Sequence, residues 1–388
     1  MSVREREWTT RTGEKKTAWI ADFTDGTGKR HIRTFQQKKK AVAYEASVTV
    51  AVNTGTHVAL DGSLTIADAA ADWIKRVEAN GMRGDGAAER ATVRQYRQHV
   101  NIHIVPRIGK LKLAKLTKKD IESFRDGLLS GVRDQHKALS RPLARKVLTS
   151  LKSLLKVAGV GHVAAAVTLG TKKRDERKLE IGRDIPTTGE IKRLIDAAKD
   201  KVKLRALLLT AALTGLRASE LRGLRWSDVD LKAEELHVRQ RADRYNAIGA
   251  PKTKESRRTI PLAPDLLHAL KQWKLACPKS DNDLVFPTST GAIEHHKNML
   301  RSLAPVMKAA GIVDKHGEPK YGLHSFRHFF ASWCINPKER GGRELPVKVA
   351  QTLLGHSSVV MTLDRYGHLF PSGSDRDELK ASTRALLA

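Results

Sequence analysis

A charged segment without apolar periodicity interrupts this chain of 388 residues near its midpoint. It runs from Gly170 to Asp184, and its basic side chains include Lys172, Lys173, Arg174, Arg177 and Lys178. A stretch without a periodic apolar face does not contribute a helix or strand to a hydrophobic core. We therefore predict a basic linker over residues 171–185 with a separate fold on each side, as expected for a chain long enough for two or three domains.

Before the linker, the apolar residues of four segments recur at helical spacing, which predicts an all-α domain over residues 63–170. The segments are 64–79, 88–104, a third that opens at Thr117, and 143–157. In the first segment the apolar positions are Ile66, Ala70, Trp73, Ile74 and Val77. In the third, Ile121, Phe124 and Leu128 follow the same rule.

The first 58 residues predict a small α+β domain. Residues 18–23 and 31–35 have strand-like patterns, the turn signal 25–28 separates them, and 38–50 has a helical pattern. Residues 52–63 contain glycines and an asparagine and predict a linker. A small sheet with one basic, polar face suits a DNA major groove. The alternative is a solvated appendage without a ligand.

The C-terminal part, residues 186–388, predicts a mixed and mainly α-helical domain. Its start carries a helix-capping signal over 186–190. Two strand-like segments follow, at 236–239 and 258–262, and predict a small antiparallel sheet. The fold class is therefore multidomain, with α+β, all-α and mixed parts in that order.

Basic residues outnumber acidic ones along the whole chain. Lys and Arg total 71 against 42 Asp and Glu, a net charge of +29, distributed as +5, +12 and +12 over residues 1–58, 59–185 and 186–388. This excess favours a polyanionic partner, first nucleic acid and second an anionic membrane surface. By itself the charge does not indicate an enzyme, and single basic residues on helices usually form a solvated face. The candidate DNA contacts are Arg94, Arg97, Arg145, Lys152, Lys172, Lys173 and Arg174.

Several classes of protein are disfavoured by what the sequence lacks. No run of about 18 apolar residues predicts a transmembrane helix, and the charged N-terminus does not resemble a secretory signal. Two cysteines, Cys277 and Cys334, are too few for a disulfide framework or a zinc finger. No cluster has metal-ligand spacing, so neither a metal nor a cofactor is expected. A reducing cytoplasm fits these features.

Two motifs of the C-terminal part place a cation where it can have a chemical role. In the first, TGLRASEL over 214–221, Glu220 follows Arg217 by three residues and lies on the same face if the segment is helical. Glu220 can then orient Arg217, although an ordinary surface ion pair fits equally well. In the second, PKTK over 251–254, Lys252 lies on a turn between strands, where it either enters a cleft as a proton donor or remains solvated.

Two further motifs add histidines and a tyrosine. His324 and Arg327 lie three residues apart at the start of a predicted helix, which suits an anion site, although a capping histidine and a surface arginine are the simpler alternative. Further on, LLGHSS over 353–358 contains His356, and Tyr366 follows ten positions later. Most tyrosines are half-buried aromatics. Tyr366 differs because a polar, histidine-rich sequence surrounds it and a glycine follows it.

Taken together, these motifs resemble the tyrosine recombinase (phage integrase) family. The segments TGLRASEL, PKTKESRRTIPL, HSFRHFFAS and LLGHSSVVMTLDRYGHL follow one another as in family members. The resemblance covers residues 186–371 and extends over 64–158, where IVPRIGKLKLAKLTKKDIESF is similar to the family's core-site-binding helical domain. Residues 1–58 are similar to arm-site-binding domains. Ser325 stands where many members have an acid, and the stretch 336–343 looks longer than usual.

The resemblance implies a reaction at a DNA phosphodiester. Tyr366 would be the nucleophile and form a 3′-phosphotyrosyl intermediate, while Lys252 would protonate the leaving 5′-hydroxyl. The remaining catalytic residues would be Arg217, His324, Arg327 and His356, with Glu220 holding Arg217. Fixed cations suit this step because negative charge grows on the phosphate oxygens. One of the histidines would accept the tyrosine proton.

The same resemblance implies the partners. They are double-stranded attachment or recombination sites, further copies of the chain in a tetramer on DNA, and DNA-bending or directionality factors, in a bacterial cytoplasm at the nucleoid. The tail over 377–387 would dock on a neighbouring protomer or on its own domain. Two other functions use similar residues or the same fold: a type IB topoisomerase that relaxes DNA without choosing a site, and a non-catalytic DNA-binding regulator.

Overall fold

The structure is a computed structural model. It describes residues 2–10, 13–24, 30–53, 63–81, 86–131, 137–170, 178–251 and 253–370, together with 383, 384 and 387. The chain divides into two compact units, Met1–Lys173 and Arg174–Ala388. Within the described residues, no helix is long and apolar enough to cross a membrane.

The first unit opens with an antiparallel sheet and a helix. Strands β1 (Ser2–Thr9), β2 (Lys15–Thr24) and β3 (Arg30–Phe35) pair in that order, and helix α1 (Lys38–Asn53) packs on β2. Both strand-like segments and the helix are found where the sequence predicts them. Strand β1 is an addition, because its side chains are almost all exposed and its sequence lacks apolar alternation. The predicted turn over 25–28 lies outside the described residues.

The helical part of the first unit surrounds one apolar cluster. Its helices are α2 (Ile66–Asn80), α3 (Arg90–Gln98), α4 (Val105–Ile108), α5 (Lys118–Ser130), α6 (Arg141–Val157) and α7 (His162–Ala165). A π-helical turn, His99–Ile104, joins α3 to α4, so the predicted helix over 88–104 is not uniform. All five apolar residues predicted to face the core from α2 are buried. Helix α5 begins at the predicted Thr117, whose side chain forms a capping box with Asp120.

The second unit is mainly helical with two small sheets. Its helices are α8 (Thr188–Ala197), α9 (Val202–Thr214), α10 (Ala218–Arg222), α11 (Pro264–Ala276), α12 (His296–Ala309), α13 (Leu323–Ile335), α14 (Val347–Leu354) and α15 (Val359–Tyr366). Its strands are β4 (Val229–Asp230), β5 (Glu235–Val238), β6 (Arg241–Ala242), β7 (Ile248–Gly249) and β8 (Arg258–Pro261). The predicted strands correspond to β5 and β8, which pair antiparallel in a β4-β5-β8 sheet.

The apolar helix α9 lies at the centre of this unit, packed against α11 and α13. It ends at Gly215, whose backbone is left-handed with φ of 59°. A Cβ at this position would overlap the ring of Phe330 on α13, so glycine is required by both conformation and space. This close approach brings the turn after α9 against α13.

The predicted fold class is confirmed, with an α+β segment, a helical part and a mixed, mainly α-helical unit that contains small antiparallel sheets. The predicted domain boundaries and the linker over 171–185 remain predictions. Residues 171–177, and the predicted tail over 377–387 except for 383, 384 and 387, lie outside the described residues.

Candidate active site

Arg217 and Glu220 lie together at the start of α10. The carboxylate accepts a hydrogen bond from the Arg217 guanidinium at 2.7 Å and another from the Arg217 backbone N–H at 3.0 Å. The condition for a shared helical face is not met, because Arg217 has extended backbone and precedes the helix. Glu220 instead reaches back to the residue that caps its own helix.

Glu220 has a second cationic partner that the sequence analysis missed. The guanidinium of Arg258, on β8, donates to the Glu220 carboxylate at 2.9 Å, and both side chains are 2% exposed. Burial raises the pKa of Glu220, but attraction to Arg258 and then Arg217 outweighs this effect, so the net pKa is lowered. The carboxylate therefore stays ionised between two guanidiniums. The pairing joins residues 38 positions apart, which periodicity does not reveal.

Three arginines converge on the C-terminal end of α14. The last carbonyls of a helix lack intrahelical partners and carry partial negative charge, so they attract cations. Each guanidinium donates a hydrogen bond to one backbone carbonyl oxygen. The pairs are Arg258 to Leu353 at 2.7 Å, Arg327 to Leu354 at 2.6 Å and Arg217 to Gly355 at 2.9 Å. One helix end thus holds guanidiniums from β8, from α13 and from the turn before α10.

Arg327 is buried, which argues against the simpler interpretation of a surface arginine. It is 2% exposed and donates a second hydrogen bond, at 2.7 Å, to the carbonyl of Gly215. Burial and then repulsion from Arg217 and Arg258 lower the pKa of Arg327 to about 9. The group is therefore still charged at neutral pH.

Tyr366 is 1% exposed and lies among three histidines. Its phenol oxygen is 2.7 Å from Nδ1 of His328, and its ring stacks on His356 at 4° with centroids 6.4 Å apart. His324 contacts His328 edge-on at 4.5 Å. Burial raises the pKa of Tyr366 to about 12, although the charges of Arg327 and Arg365 oppose this rise. The free protein therefore keeps the phenol protonated.

The histidines differ in exposure. His356 is buried and hydrogen-bonds Thr362 through Nδ1 at 2.9 Å, and burial followed by the charges of Arg327 and Arg217 lowers its pKa to about 3. His324 is exposed at the residue level, and desolvation of its ring against its neighbours, followed by the charge of Arg327, lowers its pKa. All of these shifts favour the neutral imidazole at physiological pH.

A pocket whose lining residues are mostly polar or charged opens beside Arg217. Its lining includes Glu220, Arg241, Thr253, Ser256 and Gly355, and the Ser256 hydroxyl accepts a hydrogen bond from the Arg217 guanidinium at 3.2 Å. Two arginines in the lining suit an anion. Lys252 lies outside the described residues, although the adjacent Thr253 lines this pocket.

The structure brings five predicted catalytic residues into two connected groups. Arg217 and Arg327 share the end of α14. In the other group, Tyr366 contacts both His328 and His356, and His328 contacts His324. His328 is not among the residues predicted from the sequence. A usable signal was its position four residues after His324, which puts both on one face of α13.

The predicted DNA-contact residues of the first unit differ in exposure and in whether their side chains already have partners. Arg94 is exposed, and Arg97 is exposed and paired with Glu78. Arg145 and Lys152 donate to backbone carbonyls at the end of the helical part, at 3.3 Å to Leu169 and 3.1 Å to Ala165. Lys172, Lys173 and Arg174 lie outside the described residues.

Two family models match this sequence. The model described as the phage integrase family matches residues 187–372, and that of the phage integrase N-terminal SAM-like domain matches residues 88–129. Together they cover more than half of the chain, and the first contains all six predicted catalytic residues. The chain belongs to the phage integrase family.

Two relatives support the assignment to this family, one aligned over about half of the chain and one over almost all of it. A tyrosine recombinase XerC-like protein of Caldanaerobacter subterraneus subsp. tengcongensis is 31% identical over 220 residues, which cover 50% of this chain and 53% of that protein. The chain thus spans about half the length of this relative. An integrase of Streptomyces ambofaciens is 27% identical over 380 residues, 91% of this chain and 90% of that protein.

A solved structure has the same fold. The lambda integrase tetramer bound to a Holliday junction matches with a TM-score of 0.53 at 19% identity, covering 96% of this chain and 96% of that chain. At this level of identity the likeness concerns the fold, which agrees with the sequence-based fold class.

Proposed function

We propose that this chain is a site-specific DNA recombinase that cuts and rejoins DNA strands through Tyr366. One observation carries the proposal. The buried side chain of Tyr366 contacts the neutral histidines His328 and His356, and Arg217 and Arg327 hydrogen-bond backbone carbonyls at the C-terminal end of α14. Tyrosine is a poor nucleophile at its ordinary pKa, so it needs an environment that stabilises the transition state. Family membership supports this function over topoisomerase or purely DNA-binding functions.

In the proposed reaction, the Tyr366 oxygen forms a bond to phosphorus and the bond from phosphorus to the 5′-oxygen breaks. Arg217 and Arg327 stabilise the charge that grows on the non-bridging oxygens. Lys252 gives a proton to the leaving 5′-oxygen. As the new bond forms, the phenol proton passes to one of two histidines, His324 or His356, and both add hydrogen bonds. The 3′-phosphotyrosyl bond is later broken by a 5′-hydroxyl of a partner strand. Glu220 keeps Arg217 in place.

The proposal extends to organisation and partners. We assign residues 1–58 to arm sites, 63–170 to core sites, 171–185 to a basic linker and 186–388 to catalysis. The lambda integrase structure, a tetramer on a Holliday junction, supports assembly of a tetramer on DNA. The substrate would be attachment sites of a phage or integrative mobile element, recombined at the nucleoid in a bacterial cytoplasm with bending or directionality factors.

The test is to trap the covalent adduct on a duplex that carries a candidate site and a nick beside the cleavage position. The nick lets the released fragment diffuse away, so the adduct accumulates. Tyr366→Phe is expected to abolish the adduct while site binding persists, because only the nucleophilic oxygen is lost. Tyr321→Phe is the matched control, since its buried hydroxyl donates to Glu190 instead.

Adducts that persist in Tyr366→Phe would place the nucleophile elsewhere. Relaxation of any supercoiled plasmid, without exchange between defined sites, would favour the topoisomerase function. Binding without any adduct in the wild-type protein would favour the regulator.

A further inference from the structure

The phenol of Tyr366 makes one hydrogen bond within the described part of the chain, to Nδ1 of His328 at 2.7 Å. Both groups are buried, with 1% of Tyr366 and 7% of His328 exposed. They come from separate helices, α15 and α13. A buried hydroxyl that loses its partner incurs the cost of desolvation, so this contact determines where the oxygen lies.

The direction of this hydrogen bond follows from the protonation states. Burial raises the pKa of the phenol to about 12, so the phenol carries its proton at neutral pH. Burial lowers the pKa of His328 to about 3, reinforced by the charges of His324, Arg365 and Arg327 and opposed by Asp184. The imidazole is therefore neutral. A neutral imidazole can carry its proton on either nitrogen, and Nδ1 is the one acceptor for the phenol proton among the described residues. We therefore assign the phenol as donor and Nδ1 as acceptor, with the imidazole proton on Nε2.

Ring stacking does not fix the oxygen by itself. His356 stacks on the tyrosine ring and restrains its plane, whereas the hydrogen bond to His328 restrains the end that carries the oxygen. Helix α15 is short, and its side chains Val360, Met361 and Leu363 are exposed, so one face of the helix lacks packing against the part of the chain that the structure describes. The oxygen of a nucleophile on such a helix depends strongly on its direct contacts.

We propose that His328 is a positioning residue for the nucleophile, whose neutral imidazole holds the Tyr366 oxygen in place for attack. This inference rests on the proposed role of Tyr366. The proposed role is orientation, and an amide in place of the imidazole separates it from general-base catalysis, because an amide oxygen accepts a hydrogen bond but does not take up a proton. The geometry matters because an error of about 1 Å in a reacting atom can cost roughly 100-fold in rate.

The first experiment compares three variants in single-turnover cleavage of the nicked duplex. His328→Asn keeps an acceptor near the position of Nδ1, His328→Gln moves the acceptor further out, and His328→Leu fills a similar volume without one. We expect Leu and Gln to lower the cleavage rate by about 100-fold, and Asn to recover most of that loss. Site binding should be unchanged in all three. Equal rates in Leu and wild type, or equal losses in Asn and Gln, would overturn the proposal.

A second experiment separates the attacking end from the leaving end. A duplex with sulfur in place of the 5′-bridging oxygen releases a thiolate, which needs no proton from Lys252. We expect this substrate to restore cleavage by Lys252→Ala but not by His328→Leu. Restoration of His328→Leu would contradict the assigned role.

Thermal unfolding of each variant checks that the fold is intact. If Leu fails to fold, the comparison of Asn with Gln still decides, because both are polar amides. The absence of an adduct in the wild-type protein would refute the proposed function itself. A wild-type adduct with no effect of His328 variants would refute only the present inference.

Discussion

At the scale of single residues, one buried carboxylate in the second unit holds two arginine side chains close together. Glu220 is an anion between two arginines, and both arginines also donate to carbonyls at the end of α14. Guanidiniums repel one another, so bringing them together requires negative partners. Here an ionised carboxylate and backbone carbonyls provide them.

Glu220→Gln is therefore expected to destabilise the second unit by about 3 kcal/mol, because it leaves buried Arg258 without its anion. The amide oxygen of the glutamine can still accept the hydrogen bond from the Arg217 backbone N–H, so helix α10 should form. Hydrogen exchange of amides in α9 and α13 measures the free energy of opening. Glu318→Gln removes an exposed carboxylate paired with Lys308 at 3.5 Å and should change stability by less than about 0.5 kcal/mol. Equal effects of the two changes would show that the Glu220 cluster contributes nothing beyond a surface pair.

At the scale of elements, the turn after α9 joins local conformation to the site. Gly215 is left-handed, fits against Phe330 without a Cβ, and its carbonyl accepts a hydrogen bond from Arg327. One residue thus ends a helix, allows α9 to approach α13, and helps hold a proposed catalytic cation.

Gly215→Ala should lower the free energy of unfolding by more than backbone strain alone would. Left-handed backbone costs about 1–2 kcal/mol for a residue with a Cβ, and overpacking against Phe330 adds roughly 1–3 kcal/mol. Gly311→Ala is the control, since Gly311 is also left-handed, with φ of 66°, but no neighbouring atom lies within 4 Å of where its Cβ would stand. Chemical denaturation should show the larger loss for Gly215→Ala. Equal losses would mean that the ring of Phe330 moves aside freely.

At the scale of the whole molecule, buried neutral histidines make stability depend on pH. The pKa values of His328 and His356 are each lowered to about 3 from an ordinary value of 6.5. When the pH falls below about 6.5, the unfolded chain binds protons at these sites while the folded chain does not. Their contribution is thus fully present above that pH and is lost progressively toward pH 3.

Calorimetry at pH 7.5, 6.5 and 5.5 is expected to show an unfolding temperature that falls with pH. The free energy of unfolding should fall with a limiting slope of roughly 2.7 kcal/mol per pH unit from His328 and His356, and His324 adds to it because its pKa is lowered to about 4. His356→Gln should remove the contribution of one histidine, roughly 1.4 kcal/mol per pH unit of the limiting slope. His316→Gln changes an exposed histidine and serves as the control. The same pH dependence in wild type and His356→Gln would show that folding does not lower the pKa of His356.

Local patterns predicted the helices of the first unit well. The apolar spacing of α2 and the capping residue of α5 are encoded within a few neighbouring residues, and both are found as expected. Strand β1 was missed because an almost fully exposed strand has no apolar alternation to reveal it.

The candidate site was predictable only in part. The motif order pointed to Arg217, Arg327, His356 and Tyr366 through family resemblance. The contacts of Arg258 and His328 were not predictable, because they join residues 38 positions apart in each case through the tertiary fold. No period of a helix or strand encodes such pairs.

The carbonyls at the end of α14 also determine how many N–H donors of the arginines remain available for other hydrogen bonds. A guanidinium has five N–H donors, and Arg327 uses Nη1 and Nη2 for one carbonyl each. About three of its donors therefore have no partner among the described residues, and under the proposed function they would meet phosphate oxygens without releasing those anchors. Folding has already oriented this cation, so the proposed DNA substrate would not need to reorganise it.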